Sequence, residues 1–374
     1  MSGIYIHIPF CKQACYYCDF HFSTNTSRQV EMVDAICQEL TFRKDYLQSP
    51  VKTIYFGGGT PSLLTDNQLI KILSTVYQHY FVDISPEITL EANPDDLNRN
   101  KLLQLKKAGI NRLSIGIQSF HEPHLKFMHR AHSSNEAETC VKQAQDCGFD
   151  NITIDLIYAI PGGTHQLWEK DLNKAIALHT QHISSYCLTI EEKTVFGNWN
   201  KKGQLKPKED EYAARQFEIM VERLTHNGFE HYEVSNFALP GYYSQHNSNY
   251  WKQTPYLGIG PGAHSFNLQS RQYNVSSNAQ YLKALQEGTI PATKEILSKE
   301  DQINEYLLTS LRTQWGCNTN YLLEKLHWDL LTEKAAILNK YQKNGYLSIS
   351  PQNIITLETK GKLIADQITA DLFV

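Results

Sequence analysis

Six times in succession, within roughly its first 230 residues, the chain repeats a short apolar strand, a loop and an amphipathic helix. No other feature narrows its fold so far. The strands are read at Gly3–Ile8, Lys52–Phe56, Glu87–Glu91, Arg112–Ile117, Asn151–Tyr158 and His182–Thr189. The helices are read at Ser27–Leu47, Thr65–Tyr80, Asp96–Ala108, Ser133–Cys147, Thr164–Leu178 and Lys208–Asn227. In the first, Val30, Val33, Ile36 and Leu40 recur at helical intervals. The second opens with Thr65 and Gln68 at capping-box spacing. Three of the helices end in Ala108-Gly109-Ile110, Cys147-Gly148-Phe149 and Asn227-Gly228-Phe229. Each puts Gly at the left-handed position that closes a helix, followed by an apolar residue that starts the return to the sheet. Alternation of this kind specifies a parallel sheet with helices outside. Right-handed crossovers either curl it into a full or partial barrel or leave it open and doubly wound. In both cases ligands sit at the C-terminal ends of the strands.

The pattern changes after residue 235. Residues 236–278 are rich in Asn, Tyr, Gly and Ser with little helical period, and 236–297 is read as an irregular segment. From residue 298 the chain reads as three short helices, Glu300–Thr313, Asn318–Leu326 and Thr332–Asn344. A hairpin of 345–349 and 354–357 and a last helix over Gly361–Phe373 follow. Residues 298–374 are thus a small winged-helix-like module, which leaves 1–235 as the strand–helix domain. The net charge of −4 offers no basic field, so the module is read as a packing or partner domain and nucleic-acid binding is not expected. No signal peptide and no bilayer-spanning run is read, which places the protein in the cytoplasm.

Of eight cysteines, Cys11, Cys15 and Cys18 crowd into one strand-top loop. Cys37, Cys140, Cys147 and Cys187 fall in apolar patterns and read as small core residues. In a chain of this size clustered thiols point to metal rather than to a disulfide scaffold. Structural zinc closes four positions, and here His7 or His21 would have to complete the set. Three thiolates instead suit an iron–sulfur cubane with one iron left open to a small chelating ligand. The amine and carboxylate of a methionine make such a chelate.

Cys-x3-Cys-x2-Cys with an aromatic residue, Tyr17, before the last cysteine resembles the radical S-adenosylmethionine superfamily. His7-Ile8-Pro9-Phe10-Cys11, Gly57-Gly58-Gly59-Thr60-Pro61, Gly116-Ile117-Gln118-Ser119-Phe120 and Asp155-Leu156-Ile157-Tyr158 resemble its oxygen-independent coproporphyrinogen III oxidase branch. The resemblance covers nearly the whole chain and implies a partial (β/α)6 barrel carrying a [4Fe–4S] cluster. It also implies that Gly58, Gly59 and Thr60 meet the amino group of S-adenosylmethionine. Glu91, Gln118, Arg130 and Asp155 are implied as further contacts, with Tyr5 beside the cluster. From the residues alone these four make a mixed-charge set suited to a zwitterion, with the Arg130 fork matched to a carboxylate; each is equally able to be a satisfied structural polar group.

Two departures separate the chain from the oxidases. Their fourth cysteine, two residues after the third, is here Phe20, and only ten residues precede Cys11 where the oxidases carry an N-terminal arm. Both argue against decarboxylation of a porphyrinogen. His246-Asn247-Ser248-Asn249-Tyr250-Trp251 matches the His-Asn-x-x-Tyr-Trp motif of HemW-type haem chaperones. An imidazole ligates haem iron, and Tyr250 and Trp251 offer flat faces to a macrocycle. The competing reading is that His246 caps a loop and Trp251 packs against the barrel; His264 is a weaker candidate ligand. The resemblance therefore implies a chaperone that binds haem and passes it to apo-haemoproteins, respiratory enzymes at the membrane among them. An electron donor such as a flavodoxin or ferredoxin, and a homodimer, complete the expected partners. The alternative is a porphyrinogen-oxidising radical enzyme.

Overall fold

A computed structural model describes all residues, 1–374. The six expected strands form as β1 (Ser2–Ile8), β2 (Val51–Gly58), β3 (Val82–Ala92), β4 (Arg112–Gln118), β5 (Ile152–Tyr158) and β6 (His182–Cys187). Each pairs in parallel with the next. Between them run α1 (Gln29–Phe42), α2 (Asp66–His79), α3 (Arg99–Lys107), the short α4 (Glu122–Phe127), α5 (Ser134–Asp146) and α6 (His165–Ala177). After β6 come α7 (Val195–Lys201) and α8 (Asp210–His226). The expected capping box forms at Thr65 and Gln68, and another at Ser133 and Glu136. Gly109, Gly148 and Gly228 all take positive φ, and the following apolar N–H returns to the helix, as from Ile110 to Leu105 O at 3.1 Å. Those three closures turn the chain back toward the sheet. Strand and helix faces meet in one large apolar core that includes Ile4, Ile54, Leu90, Ile115 and Ile154.

The segment 236–297, expected to be irregular, is instead largely regular. After β7 (Glu230–Glu233) and β8 (Asn236–Ala238) come α9 (Gln245–Trp251), β9 (Tyr256–Ile259), β10 (His264–Phe266), β11 (Ser270–Asn274), α10 (Asn278–Gln286) and β12 (Ala292–Ile296). β9 adds in parallel to the free flank of β1, and β10–β12 continue antiparallel beyond it. β8 and β7 extend the sheet beyond β6. The twelve-stranded order is β12-β11-β10-β9-β1-β2-β3-β4-β5-β6-β8-β7, and its two ends do not pair. The parallel strands are thus an unclosed array, and β1 sits inside the sheet with neighbours on both sides.

The remaining elements are α11 (Lys299–Ser310), β13 (Cys317–Asn318), α12 (Thr319–Leu326), α13 (Leu330–Glu333), α14 (Ala335–Lys343), β14 (Leu347–Ile349), β15 (Ile354–Leu357), α15 (Thr359–Lys362) and α16 (Ala365–Leu372). The expected third helix breaks at Lys334 and the last one at Leu363–Ile364. These elements share a second core containing Ile303, Leu307, Leu338, Ile355 and Leu372. No helix is long and apolar enough to cross a membrane.

One buried polar network pins the β9–β12 extension to the barrel. Glu39, fully buried on α1, receives Arg43 at 3.1 Å, the Gly260 amide at 2.9 Å, Asn274 at 2.8 Å and the Tyr281 hydroxyl at 2.6 Å. Removing one partner of a buried ion pair strands the other charge and costs about 3–5 kcal/mol, whereas an exposed pair contributes under about 1 kcal/mol. Glu39→Ala is therefore expected to lose several kcal/mol in a denaturant titration. Glu31→Ala, which breaks only the exposed Arg28–Glu31 pair on the same helix, should stay within about 0.5 kcal/mol of the parent.

Candidate cofactor site

The loop after β1 carries Cys11, Cys15 and Cys18 to the C-terminal ends of the strands, where one cavity of about 460 Å³ opens. All three cysteines line it, with Tyr17, Gly58, Gly59, Thr60, Glu91, Gln118, Arg130 and Asp155. Residues from four strands and three loops, up to 144 positions apart, thus converge on one space. Cys187, expected in the core, also lines the cavity at its β6 edge.

The glycines after β2 are a steric requirement. A Cβ on Gly58, which has φ +107°, would fall 2.5 Å from the His7 ring, and one on Gly59 would fall 2.6 Å from the Phe10 carbonyl. The Gly59 amide donates to Ile8 O at 2.8 Å. The cysteine loop can lie directly against β2 only because these side chains are missing.

Two of the three sulfurs already receive donors: Thr60 Oγ1 at 3.4 Å from Cys11 Sγ, and Arg130 Nη1 at 3.4 Å from Cys15 Sγ. Burial raises the Cys11 thiol and pushes Cys18 up to about 12. Donors aimed at sulfur are what a metal-bound thiolate requires, so the site fits a thiolate-held cluster. No three His, Cys, Asp or Glu side chains converge as ligands of a single ion. A cubane makes no such demand, because each thiolate binds a different iron.

Arg130 is deployed differently from the expected carboxylate fork. Its Nη2 donates to Asn93 Oδ1 at 2.7 Å and to Gly116 O at 2.6 Å, and Nη1 also reaches the Tyr17 hydroxyl at 3.3 Å. It ties the cysteine loop to the ends of β3 and β4. Its Nε is buried without a partner, an orphan donor that a carboxylate in the cavity would satisfy. Gln118 holds φ +66°, a conformation that costs a non-glycine residue about 1–3 kcal/mol.

Two carboxyls set the electrostatics. Glu91 accepts the Tyr55 hydroxyl at 2.8 Å and the Gly58 amide at 3.1 Å. Burial raises its pKa to about 7, and Asp155 adds to the shift. Asp155 accepts Ser114 Oγ at 3.2 Å and is itself raised to about 6 by burial. Both carboxyls would be relieved by a cation. A sulfonium cation for the carboxyls, with a carboxylate for Arg130 Nε, matches the charges of S-adenosylmethionine.

Tyr5 lies below the cavity, stacked on Tyr55 with centroids 6.1 Å apart and its hydroxyl 3.2 Å from His7 Nδ1. Tyr55 was missed in the sequence because it sits within an apolar strand and reads as core. Asn93, Arg112, Ser114 and Asn247 also line the cavity, and only their placement at strand ends or on α9 reveals them.

His246, expected as the haem ligand, is engaged on both ring nitrogens in this structure. It lies on α9, whose N-terminus is capped by Ser244 and by Glu87 accepting the amides of Gln245 at 3.1 Å and His246 at 2.9 Å. The imidazole is 2% exposed. Its Nδ1 meets Thr53 Oγ1 at 2.8 Å, its Nε2 meets the Tyr250 hydroxyl at 2.9 Å, and its ring stacks on Tyr55 at 5.0 Å. Burial, with Arg112 adding, lowers its pKa to about 3, so it is neutral but has no free nitrogen. Trp251 lies at the other end of α9 beneath the Arg312 guanidinium at 5.3 Å. Neither reading of the motif foresaw a helix closing the barrel interior. His264 is exposed beside Tyr273, on the sheet extension and away from the cavity.

Residues 5–175 match the model of the Radical SAM superfamily. The chain is 36% identical to the heme chaperone HemW of Bacillus subtilis (strain 168), covering 98% of both chains. It is 36% identical to the heme chaperone HemW of Lactococcus lactis subsp. lactis (strain IL1403), covering 89% of both. Among solved structures it resembles coproporphyrinogen III oxidase (HemN) of Escherichia coli, a radical SAM enzyme. That match has a TM-score of 0.86 and 21% identity and covers 100% of this chain and 90% of that one, a likeness of fold.

A cation that binds beside Glu91 lowers its pKa and releases a proton wherever the empty site is protonated. Affinity for S-adenosylmethionine should therefore rise with pH from 5.5, at up to about tenfold per unit for each carboxyl still protonated, and level off above the Glu91 value near 7. Isothermal titration in buffers of different ionisation enthalpy measures both the affinity and the released proton. In Glu91→Gln the profile is expected to flatten to the smaller slope left by Asp155.

Proposed function

The chain belongs to the radical S-adenosylmethionine superfamily and, within it, to the family of HemW haem chaperones. From that premise we propose that it binds haem and delivers it to apo-haemoproteins, with a [4Fe–4S] cluster on Cys11, Cys15 and Cys18 and S-adenosylmethionine in the adjoining cavity. The observation that carries this reading is the whole-length identity to HemW chaperones combined with His246-Asn247-x-x-Tyr250-Trp251 on α9. The cluster supplies an open iron when bound. The chain's own residues do the rest: Gly58, Gly59 and Thr60 line the amino side, Glu91 and Asp155 compensate positive charge, Gln118 reaches in from the end of β4, and Arg130 holds the cysteine loop while its Nε faces a carboxylate. Tyr5 and Tyr17 brace this arrangement from below and from the cysteine loop. Phe20, where the oxidases resembled by this chain carry a fourth cysteine, stands 68% exposed at the cavity lip.

His246, Tyr250 and Trp251 are the proposed haem-binding set, and their placement makes a specific demand. Iron needs a free imidazole nitrogen and an open face on the ring. α9 must therefore leave its seat, giving up the bond to Thr53 and the stack on Tyr55, and where Nε2 is the ligand the Tyr250 hydroxyl on the same helix must also turn away. Buried hydrogen bonds contribute about 1 kcal/mol each and an aromatic contact about as much, and the two Glu87 bonds at the helix N-terminus add to the cost that an iron–imidazole bond must offset.

Purified anaerobically, the protein is expected to take up about one haem per chain in a Soret titration. His246→Ala should abolish uptake. Thr53→Val frees Nδ1 and lowers the cost of unseating, so it should speed uptake at least severalfold. Unchanged uptake in both variants would leave His246 as a plug of the barrel and place the haem elsewhere. Carbon dioxide released from coproporphyrinogen III in the presence of reductant and S-adenosylmethionine would favour the oxidase instead.

A further inference from the structure

We infer that α9 is shared between two ligand sites, so that filling the cofactor cavity and exposing His246 oppose each other, with Tyr55 as the positioning residue that links them. The inference rests on the haem reading above. Its basis is the alternation of side chains on one turn of helix. Asn247 lines the cavity, while the adjacent His246 lies outside it, behind Tyr55. Tyr55 faces both ways: its ring carries the His246 ring at 5.0 Å with 26° between planes, and its hydroxyl donates to Glu91 at 2.8 Å. Glu91 in turn holds the Gly58 amide at 3.1 Å. Cavity carboxylate, Tyr55, His246 and α9 are therefore in direct, unbroken contact.

The seat of α9 is also defined from beneath. Glu87 accepts the two amides at its N-terminus, and the Arg112 guanidinium, itself lining the cavity, stands 4.0 Å from the same carboxylate. At its C-terminal end Trp251 lies under Arg312, and Lys252 Nζ sits 4.1 Å over Trp315. Arg312 and Trp315 belong to the turn after α11, so the C-terminal elements hold the far end of the helix.

Ligation of iron by His246 requires α9 to unseat. That movement takes Asn247 from the cavity wall and strips one face of Tyr55, which loosens the hydroxyl that orients Glu91. A ligand bound through Glu91 favours the seated helix for the same reason. Coupling between two sites through one element is reciprocal: each ligand weakens the other by the same factor. S-adenosylmethionine in the cavity is accordingly a lock on haem capture, and its departure is permissive.

The test uses the full-length protein with its cluster reconstituted anaerobically. Haem is titrated with and without saturating S-adenosylmethionine, and the ratio of the two dissociation constants is the readout. In the wild type the ratio is expected to be about 10. Tyr55→Phe keeps the ring and deletes the bond to Glu91, and its ratio should fall below about 2. A wild-type ratio of one, or a ratio unchanged in Tyr55→Phe, overturns the inference. If His246→Ala leaves haem uptake intact, the ligand assignment fails on its own, and the coupling is read without haem by hydrogen exchange of the α9 amides. S-adenosylmethionine should slow that exchange severalfold in the wild type and not in Tyr55→Phe. Exchange that ignores S-adenosylmethionine in the wild type refutes the coupling whatever binds haem.

Discussion

A polar group sealed inside a sheet costs about 1–3 kcal/mol unless something bonds to it, and that constraint organises the interior framed by β1–β6. The interior is lined less by aliphatic side chains than by Thr53, Tyr5, Tyr55, Glu87, Glu91, Arg112 and Asp155. α9 is part of the solution. Its own N-terminal amides satisfy Glu87, its His246 occupies Thr53, and its Tyr250 closes the second imidazole nitrogen. At the upper end Arg130 Nε has no partner and burial raises the pKa of both Glu91 and Asp155. The residual demand is for one anion and one or more cations, and that is the chemical outline of an amino acid sulfonium.

The parallel core was legible because its strands are apolar runs and its helices announce their ends. Glycines 109, 148 and 228 mark three closures, and Thr65 with Gln68 marks an opening. Glu91, Gln118, Arg130 and Asp155, which the family resemblance implied as contacts, do line the cavity, in keeping with the rule that a barrel gathers polar groups toward the C-terminal side of its strands. The extension β9–β12 was not legible. Its strands are three to five residues long and mix polar with apolar positions, and their burial comes from a network centred on Glu39 far back in the chain. Helix α9 was hidden for a related reason. His-Asn-Ser-Asn-Tyr-Trp has poor intrinsic helix propensity, and the carboxylate that caps it stands 158 positions away.

The hardest residue to read was His246. Its type and motif suggested a haem ligand, while its partner Thr53 lies 193 residues off in sequence. Nothing local distinguishes a histidine that is presented from one that is stored. Tyr55 shows the converse. An aromatic residue in an apolar strand reads as packing, yet its hydroxyl is the group that orients the cavity carboxylate. In both cases the missing information was a contact across the barrel, which only the register of the sheet supplies.

The position of β1 has a consequence for how this protein is made. Of the strands in this sheet β1 is made before all the others, but its second neighbour, β9, begins at Tyr256. At about 5–20 residues per second, that edge waits roughly 12–50 s before its backbone groups are covered. Through that interval the nascent chain exposes an apolar, unpaired strand with three reduced thiols just beyond it, an invitation to stray pairing and oxidation. The late arrival of β9 thus ties the safety of those thiols to the speed at which the rest of the chain is made.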